Sequence, residues 1–222
     1  MLGIRYTVAE IGIQVSDLGL THDNPWLSLM TSSLLFPLYC LVFSLFQPTE
    51  SLRYQVLHGD DAIGVMVVKK WDENGYTKIT VDTKIELKLV LTMKVHSTYE
   101  TQYKNGEMVA AKVRTYHNDK LHSYTNCWRG DGKMQIDRDG HRSSVPMPIR
   151  YTIGQTYFQP PNASQTVFSE RWGKYQPFKD MGDGRFVQHL VNGDKSFYRY
   201  EGRLCSSIEV DTKLATLRLV RQ

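Results

Sequence analysis

Between Lys84 and Tyr103 the chain alternates almost without a break. Eight of the ten odd positions are apolar or aromatic (Ile85, Leu87, Leu89, Leu91, Met93, Val95, Tyr99, Tyr103), and nine of the ten even positions are polar, Val90 being the exception. That is a period of two, where a helix requires 3.6. One buried face and one wet face belong to an antiparallel sheet rather than a parallel one. Read as a single strand, the segment would reach about 66 Å at ~3.3 Å per residue. Such a strand outruns a compact domain of this size, so it must bend, bulge or wrap.

The flanking sequence predicts a meander. Strands are expected over Leu52–Leu57, Ala62–Trp71, Tyr76–Asp82, Met108–Tyr116 and Leu121–Trp128. Between them lie turn signals: His58-Gly59-Asp60-Asp61, Glu73-Asn74-Gly75, Lys104-Asn105-Gly106 and Asn118-Asp119. Two more turns follow, at Gly130-Asp131-Gly132 and Asp139-Gly140. Asn, Asp and Gly accept the positive φ that tight hairpins need. Residues 143–182 hold five of the eight prolines and predict a loop-rich crossing with short strands. A four-strand meander then closes the chain, over Arg185–Val191, Ser196–Glu201, Leu204–Val210 and Lys213–Arg221. After residue 50 there is no amphipathic helical pattern, linker or repeat. The fold expected is all-β: one domain over 52–222, a single antiparallel and strongly curved meander sheet or partly closed barrel.

A hydrophobic helix is expected ahead of that domain. Residues 30–46 carry no charge and are followed by polar Gln47-Pro48-Thr49-Glu50-Ser51. The run suits a signal-peptide core and is short of the ~20 residues of a membrane span. Pro37 also weakens a spanning helix. No Lys or Arg lies close upstream, and residues 1–29 form an unassigned extension, so Met30 is an alternative start. The segment 30–51 is therefore read as a signal peptide or a membrane anchor, with a buried core segment as the third alternative. Export to the periplasm or cell envelope is the expectation. Of the three cysteines, Cys127 and Cys205 lie in the domain. Two separate buried thiols are favoured over a disulfide, which an oxidising compartment would allow.

Charge narrows the partners only slightly. The net charge is +4 over 222 residues; one cation against four anions in residues 1–50 leaves +7 on the rest. Cations and anions are interspersed, as on an ordinary solvated surface. Lys84, Lys88 and Lys94 share a face with Glu86 and Glu100 and with no aromatic residue, so no nucleic-acid partner is expected.

Chemistry-bearing motifs are absent: no phosphate loop, dinucleotide fingerprint, nucleophile elbow or His-Glu-x-x-His. The Asn118-Asp119 turn brings His117 and His122 to one face, but Lys120 stands beside them and no third ligand is in view, so neither metal nor cofactor is expected. Glu170 is the candidate catalytic residue. It lies between Phe168 and Trp172 in the loop-rich region, where a half-buried carboxylate can act as general acid or base; a structural role is the commoner use.

Three motifs recur in order: His58-Gly59-Asp60-Asp61-Ala62-Ile63-Gly64, Tyr157-Phe158-Gln159-Pro160 and Phe168-Ser169-Glu170-Arg171-Trp172-Gly173, with Tyr198-Arg199-Tyr200 following. As a set they resemble a family of exported bacterial proteins classed as a domain of unknown function. The pattern of that family has an acidic residue where this chain has Gln159. The resemblance implies no activity and no catalytic residues. The aromatic residues of the motifs (Tyr157, Phe158, Phe168, Trp172, Tyr198, Tyr200) are the candidate ligand contacts. In architecture the chain is similar to the open half-barrels of bacterial lipoprotein carriers, and fold does not fix function. The function expected is a non-enzymatic envelope protein binding an apolar or amphipathic ligand, such as a lipid, or a partner protein, with membrane association through 30–46 open. The alternatives are a hydrolase or isomerase centred on Glu170, and a purely structural interaction module.

Overall fold

The computed structural model describes residues 50–88, 92–162, 165–211 and 215–222. The hydrophobic helix expected at 30–46 and the extension before it lie outside the described residues. Among the described residues fourteen strands run in chain order: β1 Glu50–His58, β2 Asp61–Glu73, β3 Tyr76–Lys88, β4 Thr92–Lys104, β5 Glu107–His117, β6 Lys120–Gly130, β7 Lys133–Arg138, β8 His141–Pro146, β9 Thr166–Ser169, β10 Lys174–Gly182, β11 Arg185–His189, β12 Lys195–Glu201, β13 Leu204–Asp211 and β14 Thr216–Arg221. One helical turn, α1 (Ile153–Thr156), sits between β8 and β9. No helix among the described residues is long and apolar enough to cross a membrane.

The strands form one antiparallel sheet in the order β8-β7-β6-β5-β4-β3-β2-β1-β14-β13-β12-β11-β10-β9. It is two meanders fused where the last strand pairs with the first, Tyr54 opposite Arg221 and Val56 opposite Leu219. The turn residues do what their chemistry allows: Asn74, Asn105, Asn118, Asp119, Asp131 and Asp139 all hold positive φ. Two turns seen only as turns in the sequence, at Asp131 and Asp139, flank β7 and lead into β8.

The long alternating segment is a hairpin, not one strand. The chain reverses between Lys88 and Thr92, with Glu86 opposite Lys94 and Leu87 opposite Met93. Paired residue numbers sum to an even value, so odd positions meet odd positions on the same face. Alternation thus runs in phase through the reversal, and Leu89-Val90-Leu91 offers no Gly, Asn or Asp to mark it.

Curvature comes instead from the sheet as a whole. Its inner face carries Tyr54 and Val56 (β1), Met66 and Val68 (β2), Ile79 and Val81 (β3), Met134 and Ile136 (β7), Phe178 (β10), Tyr198 and Tyr200 (β12) and Ile208 (β13) in one continuous core. A single sheet can bury one face against itself only by curling. The curl brings its two ends together: the β9–β10 turn meets β6 and β7, with Thr125 Oγ1 donating to the Arg171 carbonyl at 2.8 Å and the Arg138 guanidinium 4.2 Å over the Trp172 ring. No strand pair bridges β8 and β9, so the barrel-like sheet stays open.

Candidate functional site

After β8 the chain leaves that edge of the sheet and, over residues 147–162, runs across the inner face toward the other edge. A buried connection must satisfy its own backbone polar groups. Here it does so strand by strand. The Ile149 carbonyl accepts from Met108 N on β5 (2.8 Å), and the Tyr157 carbonyl accepts from Cys205 N on β13 (3.1 Å). Tyr200 OH donates to the Thr156 carbonyl at 2.8 Å, and Tyr103 OH lies 2.6 Å from Thr152 Oγ1. Thr152 N donates to Gln155 Oε1 at 3.0 Å, the reciprocal bond of a capping box at the start of α1.

Glu170 completes that cap. Its carboxylate accepts from Ile153 N at 3.2 Å, Gly154 N at 3.1 Å and Thr101 Oγ1 at 3.4 Å. The first two are N–H groups that a helix start leaves without partners. Glu170 is 0% exposed. Burial pushes its carboxyl above the ordinary value, while hydrogen bonds from Thr152 and the backbone amides pull the other way. Chemically, this carboxylate ties α1 to the β9–β10 turn and to β4.

Five of the six aromatic candidates, Tyr157, Phe158, Phe168, Tyr198 and Tyr200, share the core. They pack edge-on or tilted: Tyr54 against Tyr157 at 6.0 Å, Phe178 against Tyr198 at 5.1 Å, Phe186 against Tyr200 at 5.6 Å. Trp172 stands apart, half-buried beneath Arg138. Burial holds the hydroxyls of Tyr103, Tyr157 and Tyr198 well above the usual phenol range. Cys127 and Cys205 are free and buried. Burial pushes each thiol up to about 12, so neither supplies a thiolate at neutral pH. His117 and His122 stack at 3.9 Å between ring centroids, sharing a face as the turn predicts. Burial and then the neighbouring His122 lower the His117 pKa.

Two of the aromatic candidates border open space. Phe158 lines a cleft of about 170 Å³ at one mouth of the curled sheet. Tyr198 borders a groove of about 920 Å³ on the opposite, outward face of β1 and β10–β14. Leu57, Met181, Phe197 and Val220 supply apolar surface to this groove, and Arg185, Arg199, Arg218 and Arg221 outnumber Glu201 and Glu209. Phe197 is 39% and Met181 50% exposed. Arg221 pairs with Glu201 at 3.5 Å and Arg185 with Asp183 at 3.5 Å. Sequence reading missed this surface, yet one signal was present: in Lys195–Glu201, Phe197 falls in register with Lys195, Arg199 and Glu201, an aromatic residue on the wet face.

A family model for a domain of unknown function, DUF6134, matches residues 54–222. The chain belongs to that family. The match covers nearly the whole described domain and fits the resemblance carried by the Tyr157-Phe158 and Phe168–Gly173 motifs. The crystal structure of a beta-barrel-like protein of domain of unknown function DUF1849 from Brucella abortus is similar to the DUF6134 chain at 10% identity and a TM-score of 0.48, over 78% of this chain and 95% of that one. No curated protein matches the chain.

Proposed function

We propose that the domain is a non-enzymatic binding protein that works after export, and that its outward groove takes an anionic amphiphile, a single apolar chain with an acidic head. The groove is the observation that carries this reading. Its floor sets Phe197, Leu57 and Val220 beside Arg199 and Arg218, neither of which has an ion-pair partner among the described residues. Apolar surface next to cations with free donors suits a ligand that is apolar at one end and anionic at the other. The uncharged run at 30–46 supports export. Support for a non-enzymatic role comes from Glu170, whose carboxylate is enclosed and already accepts three donors of the chain itself.

Titration of the purified domain with lauric acid, dodecyl phosphate and the neutral dodecyl maltoside tests the groove. The acidic amphiphiles bind saturably and the neutral one at least about tenfold more weakly, a difference of ~1.4 kcal/mol. Phe197→Glu and Arg218→Glu each weaken the acidic ligands by a similar factor while the far-ultraviolet spectrum stays unchanged. Equal affinity for all three amphiphiles, or indifference to both substitutions, overturns the reading.

A further inference from the structure

The 170 Å³ cleft is separate from the groove and differs from it in chemistry. One wall is an ion-pair chain: Lys70 Nζ donates to Glu50 Oε1 at 3.1 Å, and Arg203 Nη2 donates to Glu50 Oε2 at 2.6 Å. Two cations share one carboxylate, which leaves this wall at +1. The opposite wall is α1 and the residues after it, with the Gln155 and Gln159 amides. Ile79, Tyr103 and Phe158 are buried apolar surface between them. Lys70 Nζ also sits 5.3 Å over the Phe158 ring, which fixes its position from a second side.

The hydrogen-bonding inventory is lopsided. Lys70 carries three donors and Arg203 five, and each gives one to Glu50. Gln155 Oε1 is taken by Thr152 N, so the group that side chain has left to offer is its amide NH₂. A cleft rich in fixed donors, positive in net charge and floored by apolar surface selects an anion. Its volume decides which size of anion. A cavity of ~150 Å³ takes up a molecule the size of benzene, and this cleft is about 170 Å³. That suits a phosphate or a carboxylate of a few carbons and is too small to enclose a nucleotide or a lipid chain.

We propose that the cleft bounded by Lys70, Arg203, Gln155 and Phe158 is a binding site for a small oxyanion, either phosphate or a short carboxylate. Glu50 holds the two cations in place, and the oxyanion takes the donors that Glu50 leaves free. The site draws on three distant parts of the chain: the β1–β2 pair, the inner-face crossing and the β12–β13 turn. Only the curled sheet brings them together.

Calorimetric titration of the full chain with sodium phosphate, sodium succinate and sodium chloride at constant ionic strength tests the proposal. Phosphate or succinate binds saturably and chloride does not; which of the two binds names the class. Arg203→Gln, at an exposed turn residue, and Lys70→Gln each raise the dissociation constant at least about tenfold. Phe197→Glu, in the groove, leaves it unchanged, so failure of the groove and failure of the cleft are distinguishable. The proposal is overturned if neither oxyanion binds beyond the chloride control, or if Arg203→Gln binds as the parent does.

Discussion

Tyrosine is the residue that makes this interior workable. A chain segment crossing the inside of a curled sheet brings carbonyls with it, and an all-aliphatic core would leave them unpaired. Tyr54, Tyr151 and Tyr200 bury large rings and end in hydroxyls that donate to the carbonyls of Cys205, Gln159 and Thr156. Glu170 answers the opposite need, accepting from amides. Its raised pKa gives a signed expectation. The folded domain holds that proton more tightly than the unfolded chain, so this group's contribution to stability is complete below its ordinary 4.5 and is lost as pH rises through the folded-state value. Glu170→Gln turns an amide NH₂ toward the α1 amides and costs about 1–3 kcal/mol in acid. Because Gln does not titrate, the gap between parent and variant narrows from pH 4 to pH 8 in urea denaturation; a widening gap contradicts it. Gly173 is a second residue with a definite cost. It holds φ +60, and a Cβ there would lie 2.6 Å from Ile136 Cγ2. Gly173→Ala loses about 2–4 kcal/mol from left-handed strain and overpacking together. Gly132→Ala, at φ +68 with nothing within 4 Å, loses only the strain of about 1–2 kcal/mol, and equal urea midpoints for the two would refute the contact. The sequence shows Glu170 between two aromatics, but not that its partners are the amides of residues 153 and 154, since only the crossing's path brings them near.

At the scale of elements, strands announce themselves through alternation and hairpins through turn residues, and the outcome depends on having both. Turns at Asn74-Gly75, Asn105-Gly106 and Asn118-Asp119 were legible because positive φ has a residue signature. The reversal between β3 and β4 was not, because pairing in even register leaves the pattern in phase. The outward groove was hidden for another reason: it draws on strands at both ends of the domain's sequence, and no local pattern joins Leu57 to Phe197. The two sheet edges differ as well. β9 is protected, with Phe168 N donating to the Tyr151 carbonyl at 3.0 Å and Thr152 bridged to Phe168 in parallel. Among the described residues β8 ends the sheet, paired with β7 on one side and with no strand on the other, and it is short, charged at Arg142 and stopped by Pro146, the usual defences of an open edge. Removing them has a foreseeable effect. The pair R142V and S144V makes the domain self-associate, seen as a concentration-dependent rise in light scattering, whereas K112V on β5, paired on both sides, does not. Scattering that rises equally in both would refute an edge effect.

For the whole molecule the open question is what keeps a fourteen-stranded sheet curled when its edges never pair. The seam answers it with side chains in place of strand hydrogen bonds: Ile136 against Gly173, Thr125 to the Arg171 carbonyl, Arg138 over Trp172 and Thr101 to Glu170. Every one of these joins the β9–β10 turn to a strand of the first meander. The turn therefore acts as a clasp, and the crossing beneath it packs into the same core. That core is continuous from Leu52 to Leu219, which ties opening of the seam to loss of the whole fold. Ile136→Ala removes the buried side chain that lies against Gly173 in the clasp and costs about 2–5 kcal/mol. In urea it lowers the midpoint in a single transition with an unchanged slope, because the native state that remains still buries the same surface. If instead the seam opens by itself, the slope falls or a second transition separates, and an apolar dye binds before the main unfolding step. That pattern would mean two meanders stable apart, with the clasp merely closing the gap between them.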